Sequence, residues 1–492
     1  MNTKNAARGH RRNLRACWLL GCLLGVLPAG CVNVLSTTRA GYSPDGRRLA
    51  FVTREPADAT GLLLKDASAY RLMVISNERA KGMRLIEVCT DAMLCAPTFS
   101  PDGKMLCYLR VPLVDQELAV ELLGQAQMRA QSTMEVLDRL DSTLAPPDAN
   151  APPSEGDPAG PTQPAAQDAN RLAEAKDSAL AEIGYTYWMA RTSPILSAEL
   201  VFRETRSYRV VRVIPVDVPF ISVAMGAIPV PDIGGAIFHG LFQLQFRPDG
   251  KWLCLWDGGR VLKVHARSGV KVVVQCAAYS FDLSPDGNSI AMLSDALRMG
   301  AMESNEPLRR FARPDGSGMA LRWVDNQTLL VPMGDDRLCW VRPDGQIIRS
   351  RQLAFEPNSP TASPLFWYLA ADPNSGRTVV CAKGQALFLD SEGRLVKRVL
   401  WDDAFPVQPA YRPDGKRVAV QVVAHDEEKP DYLRVVAVAY FDPRGNELAR
   451  VPVSRLPESL APRPDRDQAD RNRWGAFVSA TTAPATAPAP PQ

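Results

Sequence analysis

The sequence predicts an all-β fold, a β-propeller of six or seven four-stranded blades, with seven the count its repeats favour. Three observations carry this. A Pro-Asp-Gly turn recurs along the chain, an alternating apolar run follows each copy, and successive copies are spaced like propeller blades. An inserted helical segment and a disordered Pro-rich linker and tail complete the expected architecture.

The turns come first. Five clean copies stand at Ser43-Pro44-Asp45-Gly46, Ser100-Pro101-Asp102-Gly103, Arg247-Pro248-Asp249-Gly250, Ser284-Pro285-Asp286-Gly287 and Arg412-Pro413-Asp414-Gly415. Proline presets φ at the first turn position, the aspartate bonds the turn backbone, and glycine takes the φ > 0 that closes it. Each copy runs on into a strand pattern, as in Arg48-Leu49-Ala50-Phe51-Val52 and Lys104-Met105-Leu106-Cys107-Tyr108. An aromatic or apolar residue ahead of each turn is placed to pack between blades.

Two degenerate copies, 323–331 and 371–380, fill the remaining gap. Counted this way, blades start near 42, 99, 246, 282, 323, 369 and 411, and from 246 onward the copies recur every 36 to 46 residues. A second hairpin type alternates with the first, at 338–348, 386–396 and 438–448. Two hairpins in alternation make four antiparallel strands, which is one blade.

With its turn and following strand, the motif resembles the WD-like repeat of the TolB-like propeller family of bacterial envelope proteins. The likeness covers roughly residues 41–110 and 240–455. It implies a docking surface for other proteins, or a propeller set beside a catalytic domain. The turn aspartates Asp45, Asp102, Asp249, Asp286 and Asp414 are expected to stabilise their own turns rather than to bind metal.

Residues 1–30 read as a signal peptide. Lys4, Arg8, Arg11, Arg12 and Arg15 precede an apolar run too short to span a bilayer, which ends in Leu27-Pro28-Ala29-Gly30-Cys31. The segment resembles a lipoprotein signal with Cys31 as the lipidated residue, and departs from it at Pro28, where leucine is usual. Arg11-Arg12 hints at twin-arginine export, although the rest of that motif is poor. A lipid on Cys31 would hold the protein on a membrane surface without a spanning helix.

The expected domains follow in order. First blades occupy 31–111, and a helical insertion 112–195 contains a Pro-rich linker at 145–165. The remaining blades occupy 196–460 and a Pro/Ala-rich tail 461–492. Within the insertion, 115–141 places Leu118, Leu122, Ala126, Thr133, Leu137 and Leu140 near one helical face, and 168–183 repeats the pattern. Proline clusters in the linker and tail exclude a packed core there. The uncharged run 218–231 reads as a buried strand or an apolar rim loop.

Cys89, Cys95, Cys107, Cys254, Cys276, Cys339 and Cys381 follow Cys31 without CxxC spacing, so neither a zinc site nor a full disulfide framework is expected. A Cys89–Cys95 bridge stays open. His10, His239, His265 and His425 form no close pair, and the chain lacks both a G-x-S-x-G elbow and a phosphate-binding glycine loop. A formal charge of +3 without a Lys/Arg block gives no footprint for nucleic acid.

The reading is therefore not an enzyme, with no cofactor and no metal. It is a lipid-anchored scaffold, exported to the periplasm or cell surface, that binds an envelope protein or a cell-wall component. A small-molecule ligand is left undetermined. The alternative is a propeller hydrolase or lyase using carboxylates in the central funnel, which requires charged side chains to converge in the channel.

Overall fold

In the computed structural model the chain forms seven four-stranded antiparallel sheets, each made of four consecutive strands and arranged as the blades of a propeller. The structure describes the chain between residues 35 and 455, leaving out 57–67, 220–236, 357–366, 426–432 and shorter breaks of one to eight residues. Of 115–193 it describes Leu118, Glu121, Leu122, Gln125 and Met128. The signal peptide with Cys31, the linker, the second helical stretch, the tail and most of the run 218–231 lie outside the described residues.

The blades cover residues 41–89, 92–219, 243–276, 280–311, 322–352, 368–400 and 404–452. Their innermost strands are Gly41–Tyr42, Ala92–Phe99, Gln243–Phe246, Ser280–Leu283, Arg322–Asp325, Tyr368–Ala371 and Ala404–Tyr411. All five clean turns and both degenerate copies join the first strand of a blade to its second. The second hairpin type joins the third strand to the fourth. The count of seven holds.

The expected helical insertion is not among the complete elements. The second strand of blade 2 ends at Pro112 and its third begins at Ile195. Among the described residues the one complete helical element is the short turn Ala80–Gly82. The five positions described within 115–193 are helical; Leu122 is buried in the cluster shared by blades 1 to 3, and Gln125 Nε2 donates to Glu121 Oε1 at 2.9 Å.

The turn chemistry is as the sequence predicts. Each aspartate accepts the backbone N–H two residues on: Arg47 at 3.1 Å, Lys104 at 3.1 Å, Lys251 at 2.8 Å, Asn288 at 3.0 Å and Lys416 at 3.0 Å. In the Ser-Pro-Asp-Gly copies the serine hydroxyl also donates to the aspartate. Hydrogen bonds from Ser100 and Ser284 hold the carboxyls of Asp102 and Asp286 below the usual range, and the Arg412 guanidinium does the same for Asp414.

The turns also pack on one another in a closed ring. A β-carbon on Gly103 would lie 3.6 Å from Pro44 Cδ, and one on Gly250 would lie 3.6 Å from Pro101 Cδ; Gly287 sits against Pro248. Asp286 N donates to Asn326 Oδ1 at 3.0 Å, Gly376 meets Val324, and Asn374 Nδ2 donates to the Pro413 carbonyl at 3.0 Å. Gly46, packed on the Arg412 side chain, closes the circle.

Apolar clusters fill every blade interface. One joins blades 1, 2 and 3, three more join 3 to 4, 4 to 5 and 5 to 6, and the last joins 6, 7 and 1. Among the described residues no strand is shared between the first and last blades, and side chains hold this seam. Leu49, Phe51 and Ile75 of blade 1 pack with Val420, Val438 and Tyr440 of blade 7. Glu78 takes Arg412 Nη1 at 3.2 Å and Arg417 Nε at 3.1 Å, and Arg71 Nη1 donates to the Ser454 carbonyl at 2.7 Å.

Glu78 is 12% exposed and faces two arginines. Replacing it with alanine takes the counter-ion from the partly exposed Arg417 and leaves Arg412 with Asp414 alone, a cost of about 1 kcal/mol after solvent screening. The expected result is a lower urea midpoint for Glu78→Ala with an unchanged m-value. An unchanged midpoint would mean the apolar contacts alone hold the seam.

Candidate functional site

Counting back from the turns shows which side chains meet in the channel, because alternate residues of a strand share a face. Four residues before the serine, or its equivalent, stand Arg39, Ala96, Gln243, Ser280, Ala320, Tyr368 and Gln408, one from each blade. Two residues before it stand Gly41, Thr98, Gln245, Asp282, Arg322, Ala370 and Ala410. The first ring is the mouth of the channel, at the end opposite the Pro-Asp-Gly turns. The second lies deeper.

A cavity of about 40 Å³ opens there, room for about three waters. Its lining includes Arg39, Gln243, Ser280, Arg322, Tyr368 and Gln408. Neighbouring inner strands do not hydrogen-bond to each other, and polar side chains bridge them instead. Gln243 Oε1 accepts Phe281 N at 3.3 Å, Gln245 Oε1 accepts Leu283 N at 3.2 Å, and Asp282 Oδ2 accepts Trp323 N at 2.8 Å.

Asp282 is the centre of the site. Its carboxylate takes Arg322 Nη1 at 2.9 Å from the next blade and Arg39 Nη1 at 3.4 Å from across the channel. Arg322 Nη2 donates in turn to the Leu369 carbonyl of blade 6 at 3.3 Å, while its Nε is buried without a partner. Burial pushes the Asp282 carboxyl up to about 6, against the pull of Arg39 and the Trp323 N–H. Two cations and one acid therefore meet at the throat, linking blades 1, 4, 5 and 6.

Two inner-strand residues carry backbone strain, Gln408 at the cavity and Ala96 in the apolar cluster of blades 1 to 3. Ala96 and Gln408 have φ of 49° and 47°, a region that side-chain-bearing residues rarely enter, and each stands before a proline. At both places the inner strand slips register against its neighbour. Strain of this kind persists where the surroundings over-determine it and clusters at binding sites.

The segment before blade 1 crosses towards blade 3. Leu35–Thr37 pairs in parallel with Ile237–His239, each lying shortly ahead of an inner strand. Arg39 thus enters the mouth from a short tether.

The sequence did not single out Arg39, Asp282 or Arg322. Asp282 carried a signal: it is a lone acid in the apolar inner strand Ser280-Phe281-Asp282-Leu283, two residues from the clean turn beginning at Ser284. The residues that the sequence did single out lie elsewhere. Asp45, Asp102, Asp249, Asp286 and Asp414 sit in the turn ring, and among the described residues no group of three His, Cys, Asp or Glu could hold a metal.

His265 belongs to a turn, where Nδ1 accepts Ser268 N at 3.0 Å and the ring meets Trp252 edge-on. His425 ends the second strand of blade 7, and His239 lies in the short parallel pair. Cys89 and Cys95 are free thiols, so the bridge left open above is not formed; Cys107, Cys254, Cys339 and Cys381 are free and buried too. Burial pushes the Cys89 and Cys254 thiols up to about 12, which keeps them protonated and unreactive.

A second charged cluster lies between blades 1 and 2. Glu87 accepts from Tyr108 Oη and pairs with Arg203, whose Nε donates to Tyr108 Oη at 2.9 Å. Burial works against the charged Glu87 carboxylate, but the hydrogen bonds from Tyr108, Cys89 and Arg203 win and hold its pKa below the usual range. The cluster lines no described cavity and joins the outer strand of blade 1 to the middle of blade 2, which is structural work.

No protein-family model matches the chain, and no curated protein matches it. Among solved structures it resembles a dihydro-heme d1 dehydrogenase, NirN, in complex with DHE. The match has a TM-score of 0.41 at 11% identity and covers 85% of this chain and 67% of that one. Likeness at this level says nothing about chemistry. Among the described residues no helix is long and apolar enough to cross a membrane.

Proposed function

We propose that this protein is a binding scaffold, not an enzyme, which docks a partner of the bacterial envelope at the mouth of its channel. The carrying observation is the polar mouth itself, where Arg39 and Arg322 stand over a small open cavity ringed by Gln243, Ser280 and Gln408. A propeller offers such a mouth as a rigid platform, because each residue is fixed by a different blade. The likeness of the repeats to the TolB-like family supports an envelope setting, and the segment ending at Cys31 supports a lipid anchor there. The partner is a protein or a cell-wall component.

A hydrolase or lyase is the second reading, and one observation favours it. Charged groups do converge in the channel, and Asp282 has a carboxyl shifted to about 6. Glycoside chemistry, however, uses two opposed carboxylates. Here the residues lining the cavity, with Asp282 behind them, offer one acid clamped by two arginines, an arrangement suited to holding charge in place.

The test is a pull-down from native membranes with the full chain, beside a Cys31→Ala form and a form lacking 115–193. The expected result is one discrete envelope partner, with the Cys31→Ala form moving to the soluble fraction. Capture of nothing by any form, together with turnover of a glycan or peptide that Asp282→Asn abolishes, would replace the scaffold reading with the enzymatic one.

A further inference from the structure

We infer that the channel mouth captures the C-terminal carboxylate of an extended peptide, entering end-on between Arg39 and Arg322. This rests on the scaffold reading and names the group that the mouth recognises.

Charge is the first argument. The mouth ring contributes Arg39 and no carboxylate, and the deeper ring contributes Arg322 and Asp282. Two cations against one acid leave a surplus of one positive charge facing an open cavity, enough for one monoanion. Guanidinium groups match the planar, two-oxygen geometry of a carboxylate better than a point charge does.

Donor capacity is the second argument. The Arg39 side chain is 38% exposed, lines the cavity, and among the described residues makes one long contact, 3.4 Å to Asp282, which leaves donor capacity for a ligand. Arg322 is held from behind by Asp282 and the Leu369 carbonyl, which fixes its orientation. One arginine is therefore preset and the other is adjustable.

Shape is the third. A small, partly open cavity of about 40 Å³, lined by Arg39 and Arg322, fits a compact anionic group such as a chain end. Backbone strain at Gln408 falls on the same lining. Capture of a chain terminus is a recurring mode of peptide recognition.

Titration calorimetry on the full-length protein tests this with three probes: acetyl-trialanine with a free C-terminal carboxylate, the same peptide as its C-terminal amide, and acetate. The free acid should bind at least about ten-fold more tightly than the amide, the step expected from losing a charge-assisted hydrogen bond. It should also bind more tightly than acetate. Arg39→Ala should weaken the acid by a similar factor without affecting the amide. Arg39→Lys, which keeps charge but not the fork, should fall between.

Equal binding of acid and amide would overturn the inference, and so would acetate matching the tripeptide, which would mark a site for a small free anion. Its failure is distinct from failure of the scaffold reading. A partner captured equally by the unaltered protein and by Arg39→Ala would keep the scaffold and remove the carboxylate from its mechanism. Acid-selective binding without any captured partner would do the reverse.

Discussion

Replacing Asp282 with alanine is expected to destabilise the protein by about 3–4 kcal/mol, because two groups lose their partner in a site with 3% exposure. The Trp323 N–H loses its acceptor and the largely buried Arg322 loses its counter-ion. Asparagine behaves differently, since it keeps an acceptor for Trp323 and gives up only the charge. Its effect depends on pH. The carboxyl has a folded pKa near 6, against about 3.9 in an unfolded chain, so the folded state holds this proton more tightly.

A raised folded value contributes stability fully below the unfolded pKa and loses it as pH rises through the folded one. For a shift of about two units the loss is about 2 kcal/mol between pH 4 and pH 6, and it approaches about 3 kcal/mol over the whole window from below the unfolded pKa to above the folded one. Urea midpoints of the unaltered protein and Asp282→Asn, taken at pH 4 and pH 7.5, isolate this group because all other carboxylates are common to both. The unaltered protein should lose ground to the asparagine form on going to pH 7.5. A difference that stays constant, or moves the other way, would show that the two arginines outweigh burial.

The second large effect is expected at Gly445, in the turn between the third and fourth strands of blade 7. Its φ is 83°, and a β-carbon there would lie 2.8 Å from Phe388 Cδ2 in the neighbouring blade. Phe388 is fully buried and stacks at a tilt on Phe441, so the ring has nowhere to move. Gly445→Ala therefore adds overpacking, about 1–3 kcal/mol, to the left-handed backbone cost of about 1–2 kcal/mol, for a total of about 2–5 kcal/mol. Gly250→Ala is the control. It has a similar φ of 64°, but its β-carbon would meet Pro101 Cδ at an ordinary 3.6 Å, leaving the backbone cost alone. Thermal melts of the two variants should separate clearly; equal losses would mean that Phe388 yields without strain.

The turns were legible in the sequence because their geometry demands particular residues. Pro, Asp and Gly each do one thing at one place, so even the copy at Asp372-Pro373-Asn374-Ser375-Gly376 remained recognisable. The early part of two inner strands was not legible. Blade 2 opens at Ala92 and blade 7 at Ala404, each seven residues before the start read from the motif. Ala96-Pro97 and Gln408-Pro409 break the alternation there, and a proline inside a strand argues against one.

The site was hidden for a different reason. Arg39, Asp282 and Arg322 are far apart in the chain, and only closure of the ring brings the first to the other two. Nothing local to Arg39 distinguishes it from the other arginines of the sequence. The convergence follows from the blade count and the register counted back from each turn, and both require the fold first.

That every blade is complete within one continuous stretch of chain also bears on how the molecule is made. Many propellers finish their last sheet with a strand from the opposite terminus, so the first residues synthesised must wait for the last. Here each blade can hydrogen-bond fully once its own fourth strand exists, and it can then template the apolar face of the next. Hydrogen bonding within each blade stays local in sequence, and the long-range events are the pairing of 35–37 with 237–239, the contact of Arg39 with Asp282 and the meeting of blade 7 with blade 1. Such a chain is suited to assembling from its leading end as it emerges from a ribosome or a membrane pore. Its slow step is the zipping of one side-chain seam rather than the threading of a strand.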